Sequence, residues 1–434
     1  MLSPLYVSAL SGDDSNSGDE SHPLKTLKKA WLVARSGQTV RLFAGTYDAH
    51  NGEDYAGAVP DGVTVEAVSS GDAVLDGQGL DRAKLSLAGS ATIRNLKLKN
   101  FWSALFIQSG DVDVSGLELT ANYHGLEIGE NAAVTASSIR IHDGVMGAAV
   151  YGSATLTVND STVTDMTDTE CGSGTGFYAD YSATLRLNGV TATGINGEVV
   201  ELRRTSSAFL DRCLLTKNGA VGCGNMDSIM VGDSSSLTMS DTDIRAPNDP
   251  QATIVWLTTY GDVEITNGTI SGAVQGEGVS GSASWLTLVG ATISDNDTGV
   301  RSTGSLHVIE GHFSDNSRYH IDSVARGAII RHTEFLPGVV GNDIAVHASD
   351  SSRIDLGTAD DPGGNNIQGS LSYGLSAEGA FPQIDAAGNS WRPATQGSDG
   401  IGTYASGTVV TGPDCPAAKG KSNYCISTGS SIQF

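Results

Sequence analysis

Leu96 to Asp143 reads LKLKNFWSALFIQSGDVDVSGLELTANYHGLEIGENAAVTASSIRIHD, and three equivalent segments open at Leu96, Leu117 and Ile139. Working outward, the same opening recurs at Ser161, Val190, Leu214, Thr242, Gly268, Ala291 and Gly311. Two places on stand Leu98, Leu119, Ile141, Val163, Ala192, Thr216, Ile244, Ile270, Ile293 and Phe313. Four places on stand Asn100, Ala121, Asp143, Asp165, Gly194, Asn218, Ala246, Gly272, Asp295 and Asp315. The first two columns are mostly apolar and the third is Asx, Gly or Ala. A period of roughly 20–29 residues with one supersecondary unit per repeat marks a solenoid. The runs between turn residues are short and rich in Thr, Val and Ile, with no helical pattern, so the solenoid is made of β-strands.

This predicts an all-β chain, a right-handed parallel β-helix of about 12 coils, with three short strands per coil. The coils occupy 48–391. Residues 1–47 form an N-terminal cap. Residues 392–434 lose the pattern and form a C-terminal cap or tail. Within the cap, Leu5-Tyr6-Val7 and Thr39–Phe43 read as strands. Pro23 to Ala34 reads as an amphipathic helix, with Leu24, Leu27, Ala30, Trp31 and Ala34 on one face. An open solenoid end would pair with another molecule, and this segment is suited to cover it.

The cap carries a resemblance. Tyr6-Val7-Ser8, Gly12, Asp14, Gly18, Pro23, Thr26, Ala30, Ala34, Gly37, Gly45 and Tyr47 resemble the start of a bacterial β-helix family that carries a domain of unknown function. Leu356-Gly357-Thr358, Pro362-Gly363-Gly364-Asn365-Asn366 and Gly388-Asn389-Ser390-Trp391 resemble its tail. That family is similar to the pectate-lyase superfamily. The resemblance implies a β-helix fold; it implies no catalytic motif.

The 434 residues include 55 glycines and carry a formal charge of −24. Such charge repels nucleic acid and weakens attraction for an acidic polysaccharide. No run of 18 apolar residues is present, so no membrane span is expected. The opening MLSPLYVS has no leader-like pattern, so secretion or surface display supposes a leader outside this sequence. Of the five cysteines, Cys415 and Cys425 bracket a short loop, and Cys213 with Cys223 could close another, leaving Cys171.

Three repeats are long, placing insertions at 165–180, 217–229 and 245–253 as walls of a groove. Along the second strand of each coil an outward series is expected: Phe106, Glu127, Tyr151, Tyr178, Glu201, Met230 and Trp256, with a one-residue ambiguity at Tyr151 and Trp256. Trp102, Tyr123 and His124 flank it. Flat aromatic faces give sugar rings a stacking platform, so Trp102, Phe106, Tyr123, Glu127, Tyr151, Tyr178 and Trp256 are the candidate substrate-binding residues. The competing reading buries these rings under loops.

Beside the series stand Glu198, Glu201, Arg203, Arg204 and Lys217, with Asp168, Glu170 and Asp180 from the long loop. Uronate lyases and epimerases need a cation at the sugar carboxylate, a base for the C5 proton and an acid for the leaving oxygen. Asp168 and Glu170 are the candidate ligands for Ca²⁺. Glu201, Asp180, Lys217 and Arg203 are the candidate catalytic groups. A hydrolase would instead need two carboxylates about 5–9.5 Å apart. The Asx column, including Asp143, Asp165, Asp295 and Asp315, is expected to serve turns rather than catalysis. The expected partner is a polysaccharide or cell-surface glycan. Two functions stand open: a carbohydrate-binding or adhesive surface protein, and a polysaccharide lyase, C5-epimerase or glycoside hydrolase.

Overall fold

The computed structural model describes residues 2–392 except 79, 81, 168–173, 220–226, 246, 248–249, 259, 283–284, 324–326, 337, 339–343, 350–351, 359, 369–372, 379–382 and 387, and beyond 392 only 408–410 and 432–433. The predicted tail therefore lies largely outside the described residues, as do Cys171, Cys223, Cys415 and Cys425. The chain forms two compact units, Met1–Ala220 and Val221–Phe434.

In the first unit each coil contributes one strand to each of three parallel sheets. The first sheet runs through Thr39–Leu42, Val63–Ala67, Ala91–Arg94, Asp111–Ser115, Ala133–Ser137, Thr155–Asn159, Thr184–Asn188 and Ser207–Asp211. The second includes Ser103–Ile107, His124–Ile128, Met146–Val150, Thr175–Ala179 and Val200–Leu202. The third holds three-residue strands whose middle side chains point inward and stack in register: Leu98, Leu119, Ile141, Val163, Ala192 and Leu215. All six are essentially buried, each such aliphatic side chain contributing roughly 1.5–3 kcal/mol and alanine less. The second unit repeats the scheme, with Ile244, Ile270, Ile293, Phe313, Phe335 and Ile367 in the equivalent column and Phe313 stacked on Phe335 at 5.3 Å.

The cap is built as expected in outline. Strand Leu5–Val7 pairs with Thr39–Leu42, and a helix buries Leu27, Ala30 and Trp31. That helix spans Leu27–Val33, not Pro23–Ala34. Leu24 is instead drawn into a parallel bridge with Val7. The Asp14 carboxylate takes the Lys25 and Thr26 amides, both at 2.9 Å. Thr26 then caps the helix by accepting from the Lys29 amide.

The Asx column is a column of left-handed turns. Asn100, Ala121, Asp143, Asp165, Lys217, Asp295 and Asp315 all have φ between 54° and 59°. Asn and Asp tolerate this region through local hydrogen bonds. The register read from sequence slips by one residue at a single repeat. There Cys213 and Leu215 are buried, Leu214 is 40% exposed, and Lys217 rather than Asn218 takes the turn. The apolar triplet Cys213-Leu214-Leu215 hides the alternation. Ala121, with φ +54° and no side-chain bond to lose, gives a direct check. Ala121→Gly is expected to keep or raise stability by up to about 1 kcal/mol, and Ala121→Val to lower it by about 1–2 kcal/mol; thermal melts of the two variants decide it.

A feature the repeat reading passed over is a set of buried asparagines. Asn122, Asn218, Asn296 and Asn316 stand one place beyond that turn, whereas Asn365 and Asn389 follow the left-handed Gly364 and Gly388 and lead into third-sheet strands. Asn316 Oδ1 accepts from both the backbone and the side-chain nitrogen of Asn296, and Asn389 Oδ1 does the same for Asn365. Each amide satisfies backbone groups that a turn into the core would strand.

Candidate functional site

In the second sheet of the first unit a glycine column lets successive strands approach closely. Gly125, Gly147 and Gly176 occupy the second position of successive strands. A Cβ on Gly147 would stand 2.4 Å from the Gly176 carbonyl oxygen, and one on Gly176 would stand 2.6 Å from that of Val199. The strands are irregular here. Pairing aligns Phe106, Glu127, Ala149, Tyr178 and Glu201 in one column. It aligns Ser103, His124 and Met146 in another, three residues earlier, and Met146 pairs with Thr175. Glu198 follows by the same three-residue spacing.

Ala149, not Tyr151, holds the aligned position, a shift of two residues that exceeds the one-residue ambiguity of the sequence reading. Tyr151 lies just past its strand, its ring 5.8 Å from that of Tyr178. Trp102 and Tyr123 stack at 4.1 Å, with the Arg82 guanidinium 5.3 Å from the Trp102 ring. They border a recess of about 540 Å³ that also includes Gln78, Phe101 and Thr167. Lys84 Nζ sits 3.9 Å from the Phe106 ring centre.

Four carboxylates on this face differ in environment. Glu127 is bonded by the Ser103 hydroxyl, with Lys84 Nζ at 3.4 Å and His124 Nδ1 at 3.6 Å. Burial opposes its ionisation, but His124, Ser103 and Lys84 outweigh it and hold its pKa at about 2. Asp180 is 2% exposed. Arg204 grips both its oxygens, and the Tyr178 hydroxyl donates to it at 2.9 Å. Burial again opposes ionisation, and Arg204 and Tyr178 keep Asp180 below the usual carboxylate range. Glu201 accepts from Arg203 Nε at 2.5 Å.

Glu198 goes the other way. Burial, and then the charge of Glu201, push it up to about 7. Burial and the surrounding carboxylates also raise Tyr151, with Glu127, Asp180 and Glu201 all acting on its phenol. Tyr178 is pushed up to about 12 by burial and Asp180. The face thus juxtaposes two anchored anions, a carboxyl that keeps its proton near neutrality, two phenols and an arginine-paired glutamate. Divergent proton affinities among neighbouring carboxyls are what acid–base chemistry requires.

The remaining sequence candidates fall elsewhere. Lys217 takes a left-handed turn just after strand Leu214–Thr216 of the third sheet. Asp168 and Glu170 lie outside the described residues. Among the described residues no group of three or more His, Cys, Asp or Glu is arranged to hold a metal. Trp256 belongs to the second unit, aligned with Met230, and is 42% exposed. Glu198 stood beside the series in sequence without a role. Its place three residues before Glu201, as Thr175 stands three before Tyr178, was the available signal.

Residues 10–93 match the family described as a protein of unknown function, DUF1565, and residues 85–228 match the right handed beta helix region. No curated protein matches the sequence. Among solved structures, the chain is similar to the catalytic unit of a thermostable GH87 alpha-1,3-glucanase from Streptomyces thermodiastaticus: TM-score 0.51, 14% identity, covering 79% of this chain and 65% of that one. It is also similar to XylC in complex with xylose, with TM-score 0.48, 7% identity and 87% and 86% coverage. A pectate lyase follows with TM-score 0.40, 15% identity and 75% and 77% coverage. At such identities the likeness is one of fold. No helix among the described residues is long and apolar enough to cross a membrane.

Proposed function

We propose that this chain, a right-handed parallel β-helix of the pectate-lyase-like type, binds a saccharide chain across the outer face of the second sheet in its first unit. The observation that carries the reading is the clustering of Tyr151 and Tyr178, 5.8 Å apart, among Glu127, Asp180, Glu198 and Glu201. Phenol rings stack on sugar faces, and ionised carboxylates accept from sugar hydroxyls. The stacked Trp102–Tyr123 pair extends the platform. A polysaccharide or cell-surface glycan is the partner, and an extracytoplasmic site of action goes with it. Tyr178→Ala is expected to weaken saccharide binding by about 3–10-fold, matching roughly 0.5–1.5 kcal/mol per stacked ring. Calorimetric titration of the whole chain against a set of oligosaccharides checks this. Unchanged affinity with a folded variant removes Tyr178 from the site.

A second reading, glycoside hydrolysis, is favoured by Glu198. As general acid it gives its proton to the glycosidic oxygen while the bond from that oxygen to C1 breaks. Glu201, ion-paired with Arg203, takes the proton of the attacking water. Glu127 does not serve as the partner acid. It lies three strand steps from Glu201, roughly 14 Å, and is already ionised at about 2. The lyase and epimerase readings need a neutral base and a cation site. Arg203 is engaged by Glu201, and Ca²⁺ would depend on Asp168 and Glu170. Release of reducing ends from an oligosaccharide, with no absorbance of an unsaturated product, distinguishes hydrolysis from elimination.

A further inference from the structure

The second unit contains its own cavity, of about 660 Å³, walled by Gln251, Thr253, Trp256, Gln275, Glu277 and Arg301 among others. That volume lies within the ~300–1,000 Å³ range of small-molecule sites. Trp256 stands on strand Val255–Leu257 and leaves 42% of its surface exposed, an apolar ring left open in an otherwise polar recess. The next strands of the same sheet carry Ser280, Arg301 and Asp322 in line with it.

Arg301 is clamped. It bonds Glu277 on one side and Asp322 at 3.0 Å on the other, and Asp322 is 6% exposed with its second oxygen unpartnered. The guanidinium charge is therefore matched inside the wall, and it does not call for an anionic ligand. Arg318, also lining the cavity, lies 5.0 Å over the Tyr319 ring. The wall offers a ligand one indole face and a ring of amide, hydroxyl and carboxylate groups, in which Asp227, Glu277 and Asp297 outnumber Arg301 and Arg318. That combination fits an uncharged pyranose, which offers an apolar face and many hydroxyls, and it does not fit a uronate.

We infer that the second unit holds a separate binding site for a neutral saccharide, with Trp256 as the stacking ring and Gln251, Gln275 and Glu277 as hydroxyl partners. It differs from the site proposed in the first unit in residues and in wall chemistry. Its test therefore keeps the two apart.

The experiment uses the full chain carrying Tyr151→Ala and Tyr178→Ala, which disables the first face. Maltopentaose, cellopentaose, laminaripentaose and trigalacturonate are titrated while tryptophan fluorescence and heat are followed. The inference expects saturable binding of at least one neutral pentasaccharide with a tryptophan signal. It expects Trp256→Ala and Gln275→Ala each to weaken that binding by about 3–10-fold, and trigalacturonate to bind no better than buffer. Gln275 is exposed, so its variant reports on binding even if Trp256→Ala unfolds. The inference is overturned if no neutral pentasaccharide binds, if binding survives in Gln275→Ala and any folded Trp256 variant, or if trigalacturonate is preferred. The first-unit proposal is judged independently, by comparing wild type with the Tyr151/Tyr178 variant.

Discussion

A chain lacking residues 1–47 is expected to have no soluble monomeric state. The deleted segment contains Val7, Leu24, Leu27, Val40 and Leu42, all at 0–1% exposure, with Trp31 at 7%. Their burial is worth on the order of 10 kcal/mol, comparable to the whole net stability of a typical domain at about 5–15 kcal/mol. Tyr47 adds hydrogen bonds from its hydroxyl to the Val7 and Phe43 carbonyls, at 2.8 and 3.0 Å. Deletion also uncovers the backbone of Val63–Ala67, whose partner strand is Thr39–Leu42, and an open parallel edge recruits other chains. Size-exclusion chromatography should find only aggregate. A soluble monomer with unchanged melting would show that the first coil is closed by something other than this cap.

Replacing Glu198 by glutamine is expected to stabilise the protein at pH 8 and to leave it unchanged at pH 4. The unfolded carboxyl ionises near 4.5, whereas the folded one holds its proton to about 7, because burial and then Glu201 disfavour its charge. Between those values the folded state binds more protons than the unfolded state, so this group's contribution to stability falls as pH rises through the window and is constant above it. The full effect is on the order of 2–3 kcal/mol, reduced by solvent screening. Glutamine has no charge to bury and removes that loss. Paired melts of wild type and variant at the two pH values measure it. If the protein is a hydrolase, the same substitution should cut turnover by about 10²–10⁴-fold. In the wild type, kcat should fall as pH rises through 7. Equal stability of the two proteins at pH 8 would mean that Glu198 is ordinarily ionised, and its role as acid would fall.

The solenoid was legible because its signal is repeated: an inward aliphatic in each third-sheet strand and a left-handed turn two residues later. The columns from Leu98 to Leu215 and from Ile244 to Phe335 are that pattern in space. It failed locally where chemistry was locally degenerate. Cys213-Leu214-Leu215 offers apolar residues at every position, so only pairing with Thr191–Thr193 settles which one faces the core. The helix start was misread because Pro23 and Leu24 suit a helix by propensity, while Leu24 exchanges backbone bonds with Tyr6 and Ser8 and the Pro23 carbonyl accepts from the Asp13 amide, which holds them extended. The site was legible as a surface, less so as an arrangement. Tyr151 and Tyr178 were visible as rare aromatics in the second-sheet segments of successive coils. The glycine column at 125, 147 and 176 is a consequence of backbone approach between coils. So are the Arg204 clamp on Asp180 and the Lys84, Ser103 and His124 cluster around Glu127. Arg204, Lys84 and Ser103 lie 24–43 residues from the groups they hold and His124 lies three away along its strand, spacings that no single-repeat pattern reports.

The most direct test of the central claim is calorimetric titration of an oligosaccharide panel into three proteins: wild type, the Tyr151→Ala/Tyr178→Ala variant and Trp256→Ala. The account predicts that wild type binds at least one saccharide at a site lost in the tyrosine variant and kept in Trp256→Ala, with all three proteins folded. Saccharide binding that is the same in wild type and in a folded tyrosine variant, or no saccharide binding by wild type at all, would contradict it.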